Sequence, residues 1–148
     1  MPTIPTTGSR SIPALAFIAV LTGWGPAPAA AQATPPVLRL ELNAAETVAG
    51  ACRLTFLVEN GLGADLTTLG FETVILTTDA KVAQMTLFDF RDIPAGRPRV
   101  RQFDLAGLTC DNIGRILING ASACDGAAPG ACIDALRLDS RVAQELVG

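Results

Sequence analysis

Apolar residues in this chain recur with a period of two, in short runs broken by turn formers. Leu38, Leu40 and Leu42 alternate with Arg39, Glu41 and Asn43, so three leucines share one side of an extended segment. Cys52, Leu54, Phe56 and Val58 repeat the pattern against Arg53, Thr55 and Glu59. That run ends at Asn60-Gly61-Leu62-Gly63, whose residues tolerate positive φ. Leu66–Thr77 is rich in β-branched residues and reads as a third strand. Residues 78–81 (TDAK) suit a hairpin turn, with 82–90 as the returning strand. Pro and Gly mark 93–98 as a loop. Further strands are expected at 99–105, at 115–118 before Asn119-Gly120, and at 136–142, with Leu146 and Val147 adding to the last. Residues 121–131 read as a loop, and 44–51 leave room for a helical turn. About seven short strands without a helical period predict an all-β sandwich.

The N-terminus reads as an export signal and not as part of that sandwich. Arg10 gives a positive start, residues 12–24 (IPALAFIAVLTGW) an uncharged apolar run, and Ala31-Gln32-Ala33 a small-x-small cleavage site. A membrane-spanning helix needs about 20 predominantly apolar residues. Here the run stops at Trp24-Gly25-Pro26, which favours cleavage over anchoring. The expected division is a cleavable signal peptide at 1–33 and a single domain at 34–148. The product is periplasmic or secreted, with no stable membrane insertion after cleavage.

All four cysteines, Cys52, Cys110, Cys124 and Cys132, lie beyond residue 33. In an exported chain an even count reads as disulfides, and four cysteines permit three pairings. The favoured one closes a short Gly/Ala/Pro loop with Cys124–Cys132 and joins distant strands with Cys52–Cys110. With no histidine and no C-x-x-C, a zinc site is not expected, and no D-x-[DN]-x-[DN]-G spacing suggests calcium. Residues 34–148 carry ten basic and fourteen acidic side chains, a net charge of −4 that gives no sign of nucleic acid as a partner.

Residues 54–60 (LTFLVEN), the charged turn around Asp79 and Ile93-Pro94-Ala95-Gly96 together resemble the immunoglobulin-like accessory domains of bacterial envelope proteins. Those domains share an apolar strand ending in Asn, a charged hairpin turn and a Pro-x-Gly loop. The resemblance spans residues 52–105, and the whole chain is similar to small exported proteins of Gram-negative bacteria. It implies an immunoglobulin-like β-sandwich of about seven strands, stapled by disulfides, and brings no catalytic motif.

Chemistry-bearing constellations are few. Without histidine the usual nucleophile–base pair cannot form. Ser122 and Ser140 lie outside any G-x-S-x-G, and the lone lysine, Lys81, sits in the expected turn. The carboxylate pairs Asp89/Asp92 and Asp134/Asp139 lack the sugar-stacking aromatics of a glycosidase cleft. No enzymatic activity, cofactor or metal is therefore expected.

Two surface features remain. Arg91, Arg97, Arg99 and Arg101 crowd eleven positions, with Arg97, Arg99 and Arg101 of one parity. They read either as a ladder for an anionic partner or, preferably, as a polar face balanced by Asp89, Asp92 and Asp104. The hairpin 69–90 is apolar on both faces: Leu69, Phe71, Ile75, Phe88 and Phe90 on one, Val74, Leu76, Met85 and Leu87 on the other. A sandwich strand with one wet face should alternate more cleanly, so something is expected to cover the second side. The candidates are residues 133–148, a second copy, or another envelope protein. The expected role is a non-catalytic interaction or accessory module of the cell envelope. The alternative is a small-ligand carrier or enzyme inhibitor that binds through its loops, such as the stapled one at 124–132.

Overall fold

A computed structural model describes residues 1–3, 8 and 33–148 of the chain. Arg10, residues 12–24 and Ala31-Gln32 of the expected signal lie outside the described residues. Residues Thr34–Gly148 form one compact unit, and within it the alternating runs become strands.

The described residues form eight strands where about seven were expected: β1 (Val37–Val48), β2 (Ala51–Gly61), β3 (Leu66–Thr77), β4 (Val82–Ile93), β5 (Arg99–Ala106), β6 (Ile113–Asp125), β7 (Leu136–Ser140) and β8 (Glu145–Val147). They form two four-stranded sheets, ordered β5-β2-β1-β7 and β4-β3-β6-β8, and the chain is an all-β sandwich with two disulfides. The hairpins β1–β2 and β3–β4 stay within a sheet, and every later connection crosses between sheets. β1–β7 and β6–β8 are parallel, which only crossover connections permit.

Three local expectations are corrected. Residues 44–51 hold no helical turn. β1 runs to Val48 and reverses through Ala49-Gly50, both at positive φ (40° and 78°). Register with β2 shifts by one residue at a bulge between Leu42 and Ala44, and pairing is then regular from Ala44 with Thr55 to Val48 with Ala51. The strand expected at 115–118 is β6, thirteen residues long, because β3 pairs with it as far as Asp125. Half of the expected loop 121–131 is therefore strand, and it ends in a four-residue helix, α1 (Ala131–Asp134).

The core is what the alternation specifies. Leu38, Leu40 and Leu42 meet Cys52, Leu54, Phe56 and Val58 from one sheet, and Leu69, Phe71, Ile75, Phe88 and Phe90 from the other. Full burial of each such side chain stabilises by about 1.5–3 kcal/mol. Phe56 lies edge-on to Phe90 and Phe103, with ring centroids 5.6 and 6.0 Å away. The disulfides are Cys52–Cys110, tying β2 to the turn before β6, and Cys124–Cys132, tying β6 to α1. No described helix is long and apolar enough to cross a membrane.

Candidate docking surface

Strand β3 turns Phe71, Thr73 and Ile75 into the core, so Glu72, Val74 and Leu76 face outward. Residues directly opposite across a ladder point to the same face. Val74 lies opposite Met85 on β4 and Leu117 on β6, and Leu117 opposite Val147 on β8. One in-register row, Met85–Val74–Leu117–Val147, thus crosses all four strands on the outer side of the sheet. Leu76 and Val82 are opposed one step along, and Leu87 lies opposite Glu72 on the other side.

The row is open to solvent at its β4 end: Met85 is 66% exposed, Leu87 64% and Val82 62%. Val74, at the centre of the row, is 8% exposed. Polar groups rim the patch. Arg115 and Glu145 form an ion pair at 2.7 Å, and the Asn119 amide donates to Glu72 at 3.4 Å. An apolar centre with a polar rim is the anatomy of a protein interface.

All four apolar residues read from the hairpin, Val74, Leu76, Met85 and Leu87, come together on this face. Leu117, Val147 and Val82 were missed, because only strand register aligns them. Of the candidate covers, residues 133–148 contribute Val147 to the row but do not lie over its β4 end. The β7 strand extends the opposite sheet and β8 the far edge of this one, so neither lies over Met85 or Leu87.

The arginines are not a free ladder. Arg99 and Arg101 do share a side of β5, but that side looks towards β4, across the gap between the sheets. Arg101 Nε donates to the Phe90 carbonyl (2.7 Å) and Nη2 to that of Asp92 (3.1 Å). Its guanidinium thereby stitches the two sheet edges together, beside the stacked Phe88 and Phe103 rings at 4.2 Å. Arg99 bonds only its neighbouring Pro98 carbonyl, and among the described residues neither Arg97 nor Arg99 has an acidic partner. Of the three balancing acids, Asp92 meets Arg101 at 3.5 Å, whereas Asp104 pairs with Arg53 and Asp89 accepts the Arg91 N–H. The Arg53 guanidinium holds the Asp104 carboxyl below its ordinary range. Lys81 and then Thr77 do the same for Asp79 in the hairpin turn. Both pairs are solvent-exposed and contribute little to stability.

Two buried polar residues organise the rest. Asn60 donates to the Ala64 and Ile93 carbonyls, both at 2.8 Å, and its Oδ1 accepts the Leu62 N–H. The Gly96 N–H reaches the Asn60 carbonyl at 2.9 Å. The strand-ending Asn and the Pro-x-Gly loop, read separately in the sequence, are thus one knot. Glu41 faces outward yet is only 6% exposed. Arg141 Nε donates to it at 2.6 Å and the Asn43 amide at 3.0 Å. Both bonds hold its carboxyl below the ordinary carboxylate range, against the upward push of burial.

The stapled loop packs down on the body of the domain. Gly126 has φ +103°, and a Cβ there would stand 2.2 Å from the Asp65 carbonyl oxygen. Beside it lies a solvent-open apolar depression of about 660 Å³, with Pro36, Leu62, Ala127 and Ala135 on its walls and Asp134 and Arg137 also lining it.

Compared with family models, with curated proteins and with solved structures, this chain has no match in any of the three.

Proposed function

We propose that the protein is a non-catalytic, exported interaction module of the bacterial envelope, docking through the outer face of the β4-β3-β6-β8 sheet. The observation that carries this reading is the apolar row Met85–Val74–Leu117–Val147, left open among the described residues at Met85, Leu87 and Val82. Two disulfides belong to an oxidising compartment, in keeping with export to the periplasm or beyond. Exposed apolar side chains at the centre of a polar rim are where burial against a partner contributes most to binding. In this reading Arg101 is structural, and any contribution of the cluster falls to Arg97 and Arg99.

The test uses Leu87→Asp and Val82→Asp, each a charge placed on an exposed position. Both variants should melt within a few degrees of the parent and lose at least tenfold in affinity for whatever envelope component the parent retains stoichiometrically. Undiminished retention in both variants would place the interaction elsewhere.

A carrier is the second reading, favoured by the depression beside the stapled loop. Ligand screening at Leu62→Trp, which fills that depression, separates the two readings. Binding of a small apolar compound lost in that variant alone would favour the carrier.

A further inference from the structure

The depression beside the stapled loop carries two charges, Asp134 and Arg137. The rest of its described lining is alanine, glycine, proline and leucine. Its volume of about 660 Å³ lies within the range of about 300–1,000 Å³ for small-molecule sites, which pair apolar walls with a few fixed polar groups. The walls are held from three sides. Cys124–Cys132 closes the span that carries Gly126, Ala127, Ala128 and Ala131. The Leu38 N–H donates to the Ala135 carbonyl at 2.9 Å, which sets the Pro35-Pro36 lead-in beside α1. Leu62 is fixed through its N–H, which Asn60 Oδ1 accepts at 3.0 Å. Walls ordered before binding lose less entropy when a ligand arrives. Neither charge serves the fold. β7 sets Arg137 directly opposite Arg39 on β1, and like charges so placed destabilise a strand pair. Arg39 is compensated by Glu59 and Asp139, at 3.6 and 3.8 Å. The Arg137 guanidinium is not: among the described residues it bonds only the neighbouring Leu136 carbonyl, at 2.7 Å. Asp134 closes α1, and among the described residues no basic side chain pairs with it. Gly130, at φ +82°, leaves room for its carboxylate, since a Cβ there would stand 3.2 Å from Asp134 Oδ2.

We propose that this depression binds a free α-amino acid with an apolar side chain. Arg137 takes the carboxylate and Asp134 the ammonium, each through charge-assisted hydrogen bonds. The ligand's side chain lies against the walls formed by Leu62, Ala127 and Ala135. The two protein charges cancel, so the site favours a ligand that carries one charge of each sign. A sugar finds no aromatic face and no side-chain amide or hydroxyl among the described lining. A phosphate or a fatty-acid head would meet the Asp134 carboxylate beside Arg137. The proposal rests on the carrier reading and gives it a ligand class, and the site shares no residue with the docking face.

The experiment is an NMR chemical-shift titration of the oxidised protein recovered after expression of the full chain. The probes are L-leucine, N-acetyl-L-leucine, which lacks the ammonium, and L-leucinamide, which lacks the carboxylate. At about pH 6 the leucinamide amine stays protonated. Leucine should shift the amides of Ala127, Ala131 and Arg137, and should bind about tenfold or more tightly than either derivative. Arg137→Gln should abolish the advantage of leucine over leucinamide while keeping its advantage over N-acetylleucine. Asp134→Asn should do the reverse. Both side chains are exposed, so both variants should fold as the parent does, which unchanged shifts along β2 and β3 verify. A variant that weakens all three probes alike would give its residue a merely structural role and overturn the proposal. Equal binding of the three probes by the parent also overturns it, while leaving the carrier reading in place. No shift at the depression with any probe overturns the proposal and removes the carrier reading with it.

Discussion

Asn60 holds two connections with one side chain. It is 2% exposed, and its amide serves the β2–β3 loop and the end of β4 at once. Asn60→Ala leaves two carbonyls and the Leu62 N–H unpaired, and should cost about 2–4 kcal/mol in urea unfolding. Glu41 makes a different prediction. Its folded pKa is depressed, so its contribution is fully present above the unfolded carboxylate value of about 4.3. It is lost as pH falls through the lower folded value. Glu41→Gln should therefore lower stability at neutral pH and flatten the acid limb below about pH 4.5, read from melting curves between pH 2 and 7. The alternation at 38–43 showed that Glu41 points outward. Its burial was not legible, because the arginine that closes over it lies 100 residues along the chain.

At the scale of elements, the sequence carried most of what burial decides. β3 has the bounds read from its β-branched run, and β2 buries Cys52, Leu54, Phe56 and Val58 as its pattern requires. β6 was cut short because Ala121, Ser122 and Ala123 have weak strand propensity, and pairing with β3 overrides it. The reversal at Ala49-Gly50 was hidden for the same reason, among alanines that suit a helix as well. Loop-closure entropy ranks the staples: about 4 kcal/mol for Cys52–Cys110, closing the longer loop, and about 2.5 kcal/mol for Cys124–Cys132. Cys52 and Cys110 are both buried, whereas Cys124 is half-buried. A graded reductant should accordingly open Cys124–Cys132 first, giving a folded two-thiol intermediate by mass-tagged thiol counting. Removing Cys52–Cys110 by paired serine substitutions should cost the larger share in urea.

Across the whole molecule, polar surface is distributed unevenly. The outer side of the β5-β2-β1-β7 sheet carries Arg39, Arg53, Glu59 and Asp104 in mutual ion pairs or near them. Its counterpart across the core carries the apolar row. That asymmetry was only half visible in the sequence. Residues 74–87 announced a second apolar side, but Leu117 and Val147 join it through strand register that spans some seventy positions. The central claim is that this face meets a partner, and site-specific photocrosslinking in the producing cell tests it most directly. A photoreactive side chain at position 87 would be compared with one at Val100, an equally apolar position, 57% exposed on the opposite sheet. The account predicts one discrete hetero-adduct from position 87, competed away by the unlabelled parent but not by Val82→Asp, and none from position 100. No hetero-adduct from position 87, or the same adducts from both, would contradict it.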